Sequence, residues 1–146
     1  MSAALYTRDI LRLAVSIPHQ SRLYKPDGTA ELRSRTCGSR VIADVILSDE
    51  KAIAQLGIEV SACALGQASA AILAAEAIDK SMDQIAEAKD QLAGFLTGSR
   101  ETPGSWDNMI HLCAAKDHPG RHAAILLPYE AVLAAFEAAV TAREAV

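Results

Sequence analysis

A chain of 146 residues, 51 % apolar and 22 % charged, can bury one real core and is too apolar to stay disordered. Its net charge of −4, with no run of like charge, argues against a nucleic-acid partner, which would need a basic face. No unbroken apolar run approaches the ~20 residues that span a bilayer, no basic-then-apolar leader opens the chain, and three scattered cysteines suit thiols or metal ligands in a reducing cytoplasm better than a disulfide framework.

These features predict one domain over residues 1–146, with neither nucleic acid nor membrane as partner. Thr7 is placed to cap a first helix carrying Ile10, Leu11, Ala14 and Val15, which Pro18 stops. His19 to Gly28 reads as a loop ending in the turn Pro26-Asp27-Gly28. Three strands follow. The first, Ala30 to Thr36, alternates Leu32 and Ser34 against Glu31, Arg33 and Arg35. The second, Arg40 to Ser48, is rich in β-branched residues, and the third runs from Ala52 to Ala62. The links are short, so an antiparallel meander is expected.

Helices fill the remainder. Ala64 to Asp79 is dense in alanine, and its small residues Gly66-Gln67-Ala68-Ser69 suit close packing of helix on sheet. Ser81 and Gln84 form a capping box ahead of Met82, Ile85, Leu92 and Phe95, and Gly98 is a C-terminal stop. Trp106, Met109, Ile110 and Cys113 fall on one face at helical spacing, which makes Cys113 a core residue. Pro128 suits the first turn of a last helix with Val132, Leu133, Phe136 and Val140 inward. The fold class is therefore α+β, a small three-stranded antiparallel sheet packed against several helices.

The meander has a chemical consequence. In it, the end of strand one, the start of strand two and the end of strand three share one edge. Cys37 lies in the first link and Cys63 where strand three passes into a helix, so both thiols are expected at that edge. Gly38 frees the backbone beside Cys37. The helix N-terminus at Cys63 favours thiolate, the form that attacks sulfur and binds metal. A lone cysteine is more often a small buried hydrophobe; two converging on one edge favour a site. Of the histidines, His19, His111 and His118 read as surface or loop residues. His122, beside Arg121, is the better ligand candidate. No phosphate loop, His-Glu-x-x-His helix or nucleophile elbow is present, so nothing points to a classical enzyme.

These segments resemble a known family. Thr36-Cys37-Gly38-Ser39 is similar to the first ligand loop of the IscU/SufU (NifU N-terminal) scaffolds, usually Cys-Gly-Asp. Ala62-Cys63-Ala64-Leu65-Gly66-Gln67-Ala68-Ser69-Ala70 is close to the second ligand segment, above all its SufU form. Tyr6 to Leu11 resembles the N-terminal helix, and Arg121 to Ala131, with Leu127-Pro128-Tyr129, the last ligand segment. The resemblance implies a SufE/NifU-like fold and work in iron–sulfur cluster assembly or sulfur transfer. It implies a cysteine desulfurase and acceptor apoproteins as partners, and zinc, iron or a labile cluster as cargo. Cys37 and Cys63 would accept sulfur and, with His122, hold metal. Two positions depart from the pattern: the usual Asp is Ser39, and the third Cys falls on Ala124. A degenerate member serving as a non-catalytic interaction protein is the alternative.

Overall fold

The computed structural model describes residues 5–35 and 38–145. Its order is α1 (Arg8–Ala14), β1 (Gly28–Arg33), β2 (Arg40–Leu47), β3 (Ile53–Ser61), α2 (Ala64–Glu76) and α3 (Met82–Thr97). A 3-10 helix (Met109–Asp117), a 3-10 turn (Pro119–Arg121) and α4 (His122–Glu144) complete it. The three strands form an antiparallel meander in the order β1-β2-β3, as the short links require. The predicted α+β class is the observed one.

Each cap does its expected work. The Thr7 hydroxyl accepts from Ile10 N–H, Ser81 and Gln84 close a reciprocal capping box, and Gly98 ends α3 at φ 91°. The helices cover one face of the sheet. Val41, Ala43 and Val45 of β2 and Ile58 of β3 are buried there with Ile72, Leu73, Val132 and Phe136. On the outer face, Asp44 is fully buried. It accepts from Arg22 Nε at 2.7 Å, Thr29 Oγ1 at 2.6 Å and Leu23 N–H at 3.0 Å, which ties the loop before β1 down onto the sheet. Burial alone would raise its pKa, but these partners outweigh burial and hold the carboxyl below its usual range.

Several expectations are corrected. Leu11 and Val15 of α1 are exposed (49 % and 85 %), because only the Ile10–Ala14 side of this short helix meets α2. β1 begins earlier and ends earlier than read. Asp27 already pairs with Val45 and Leu47, and the hairpin closes at Ser34–Ser39. The third correction is the segment after Trp106. Met109, Leu112 and Ala115 are buried at a strict period of three, the repeat of a 3-10 helix, and Ile110 is 64 % exposed. Cys113 is only half buried, though burial still pushes its thiol pKa up.

Fourth, Pro128 lies inside α4, which starts six residues earlier at His122. A proline removes the N–H that would serve the carbonyl four residues back, here Ala124. That oxygen lies against Gly66: a Cβ on Gly66 would stand 3.3 Å from it. Ser69 Oγ donates to the next carbonyl, Ile125, at 2.6 Å. The small residues of α2 thus serve helix-on-helix packing, where helix-on-sheet packing was expected. The helical stretch Pro119–Glu144, which contains α4, is long and apolar enough to cross a membrane by length and composition, but 56 % of its apolar window is buried in this fold.

Candidate functional site

The register sets the edge. Arg33 lies opposite Arg40, and Arg40 opposite Ser61, so one row crosses all three strands at the end where the thiols were expected. Beyond that row the β1–β2 loop is pinned by Ser34 N–H to Ser39 O at 2.8 Å and Gly38 N–H to Ser34 O at 3.2 Å. Gly38 takes φ 71°, a conformation that favours glycine. Ser39, in the position where the family pattern has Asp, is buried. Cys37, with Thr36, lies outside the described residues.

Cys63 is the N-cap of α2, two residues beyond Ser61. Its carbonyl accepts from Gln67 N–H at 2.9 Å, while its side chain makes no capping bond. The thiol is half buried, at the margin of the core. Ala124 is buried against the first turn of the same helix: its Cβ would stand 3.5 Å from a Cβ on Gly66. The third ligand position of the family pattern therefore faces the turn that Cys63 caps, but carries a methyl group.

His122 sits two residues earlier, about 200° round the helix from Ala124. Its Nε2 lies 2.9 Å from Ala115 O. A carbonyl accepts only, so Nε2 is the donor in this contact, and Nδ1 is the ring nitrogen left for another partner. Arg121 is half buried at the N-cap of α4. His111 is instead 3.6 Å from Asp9. No group of three His, Cys, Asp or Glu side chains gathers among the described residues.

Sequence reasoning missed two features near the edge. Arg33 and Arg40, directly opposed, share Glu31 at 3.2 and 3.7 Å, which offsets a like-charge pairing. A depression of about 320 Å³ opens between β1 and α4, lined by Leu32, Arg33, Ser34, Arg35, Ala123, Leu127 and Glu130. Alternation along β1 carried part of this signal. Where α4 would lie against it did not show in the sequence.

No protein-family model and no curated protein matches the chain. Solved structures do. A nitrogen-fixing NifU-like protein (N-terminal) from Brucella abortus is 29 % identical, with a TM-score of 0.88, and the match covers 94 % of this chain and 95 % of that one. A SUF-system iron–sulfur cluster assembly scaffold from Fervidobacterium islandicum AW-1 shares the fold at 20 % identity and TM-score 0.82, over 90 % of this chain and 96 % of that one. Similarity to the Brucella protein over almost the whole of both chains, on top of this sheet order and these helices, bears out the resemblance to the IscU/SufU/NifU-like family.

Proposed function

We propose that this chain is an iron–sulfur cluster assembly scaffold or sulfur-transfer protein with an altered metal site, in which Cys37 and Cys63 accept sulfur and hold iron or zinc. The observation that carries the reading is Cys63. It caps α2 at the edge to which the 34–39 hairpin belongs, with a side chain free of any capping bond.

The sulfur-transfer step balances without an external oxidant. A thiolate of this chain attacks the outer sulfur of a partner's cysteine persulfide. A new S–S bond forms, the partner's S–S bond breaks, and its electron pair leaves on the partner's thiolate. The donor is a cysteine desulfurase, and acceptor apoproteins receive the product, in a reducing compartment such as the cytoplasm.

The donor set bears on the cargo. Cys37 and Cys63 supply two sulfur ligands, while Ser39 lacks the carboxylate and Ala124 the third thiol of the family pattern. His122 can join only through Nδ1, with Ala115 O orienting the ring from behind. Three such ligands leave a fourth position open on a tetrahedral ion, which suits labile metal better than a closed four-ligand cluster site.

A second reading has an observation behind it too. The missing donors at positions 39 and 124 fit a member that binds partners without loading cargo. Incubation with iron, cysteine and a desulfurase separates the two. The scaffold reading expects bound metal or persulfide that falls in Cys37→Ala and Cys63→Ala. Absence of both from the unaltered chain supports the interaction protein.

A further inference from the structure

We infer that the wedge between the edge of β1 and the first turns of α4 is a docking groove for an extended, acidic segment of a partner protein. α4 lies hard against β1 at one end: a Cβ on Gly28 would stand 2.6 Å from Ala139 N. Toward the 34–39 hairpin the two elements part, and the depression of about 320 Å³ opens between them. Its floor is Leu32, Ala123 and Leu127; Arg33 and Arg35 stand on the strand side, and Glu130 on the helix side.

Three observations select the occupant. First, β1 is an edge strand. Ser34 bonds back to Ser39, so by antiparallel alternation Leu32 also faces β2, and the N–H and C=O of Arg33 and Glu31 point outward. An incoming strand can pair with them. Second, the apolar floor takes alternate side chains of that strand. Third, the charges favour acid on the strand side. Arg35 is exposed and has no ion-pair partner among the described residues, whereas Arg33 shares Glu31. Glu130 opposes this preference from the helix side.

The groove adjoins the hairpin that carries Cys37, so its occupant would bring a partner beside the sulfur-accepting edge. Its existence does not depend on metal or sulfur chemistry, and neither does its test. The probe is a fluorescein-labelled hexapeptide alternating Glu and Leu, with a control alternating Lys and Leu, titrated by fluorescence anisotropy at low and high salt. The acidic peptide is expected to bind more tightly than the basic one, and less tightly as salt rises. Arg35→Glu should weaken it by about fivefold, and Glu130→Gln should tighten it by about twofold, as removal of a rim charge does. Amide shifts in NMR should map to Leu32, Arg33, Ala123 and Leu127. Equal binding of the two peptides, no binding, indifference to Arg35→Glu, or shifts confined to another face would each overturn the proposal.

Discussion

Gly28→Ala tests the contact that sets the position of α4, and with it Ala123, Ala124 and His122. Gly28 does not adopt a positive φ, so alanine meets no backbone strain there. The obstacle is space. The new Cβ would collide with Ala135 O and stand 2.6 Å from Ala139 N and 2.9 Å from Ala139 Cβ. Two of these three are backbone atoms of a helix, so no rotamer change relieves them; α4 or β1 must move. With helix backbone as the obstacle, the cost falls in the upper part of the about 1–3 kcal/mol that overpacking takes, above the about 0.4–1 kcal/mol returned by the stiffer unfolded chain. For a chain of this size the net loss lowers Tm by up to about 10 °C. Gly120 is the control, because a Cβ there meets nothing within 4 Å. Gly120→Ala should be neutral or slightly stabilising. Calorimetry or urea unfolding reads both. A Gly28→Ala protein as stable as the unaltered one would refute the packing argument.

Asp44→Asn should destabilise by on the order of 2 kcal/mol through the weakened bonds to Leu23 and Thr29, with the share of half-exposed Arg22 screened by solvent. The folded carboxyl sits below its ordinary pKa, so its contribution is present above about pH 4 and is lost as pH falls through the folded value. The gap between the two proteins in urea midpoint should close on acidification; a gap constant down to about pH 2 would contradict this. Cys113→Ala should cost about 1 kcal/mol and leave metal content unchanged. Its thiol, raised in pKa by burial, should alkylate slowly near neutral pH, as mass spectrometry of iodoacetamide-treated protein would show. Ala124→Cys, facing the turn that Cys63 caps, should raise metal retention against a chelator; no gain in a folded variant would count against the placement of the third ligand. His122→Ala should lower metal affinity if Nδ1 coordinates, and leave it unchanged if the ring only braces Ala115.

The meander was legible because its physics is local. Alternation in β1, β-branched residues in β2 and the short turn at Ser48 leave few other arrangements. Caps at Thr7, Ser81 and Gly98 were legible for the same reason, each being a hydrogen bond or a φ value set by neighbours in sequence. What failed depended on distant partners. Pro128 reads as a helix start until the contacts of Ala124 and Ile125 with α2 show how a helix runs through it. The segment after Trp106 fits α spacing as well as 3-10 spacing over its first residues, and only burial at Met109, Leu112 and Ala115 chooses the shorter period. At the site, Cys63 as a helix N-cap was readable from the strand-to-helix change. The groove between β1 and α4 was not, since it exists only where the two elements diverge.

The most direct measurement of the central claim is persulfide transfer followed by metal stoichiometry on the same protein. The chain is mixed with a cysteine desulfurase and cysteine, and persulfide on each thiol is located by mass spectrometry after alkylation. A parallel sample is loaded with iron or zinc and counted per chain. The account predicts persulfide on Cys37 or Cys63 and none on Cys113, with about one metal per chain, as a single site holds, lost in Cys37→Ala and in Cys63→Ala. Persulfide and metal that survive both substitutions, or that are lost with Cys113→Ala alone, would contradict it.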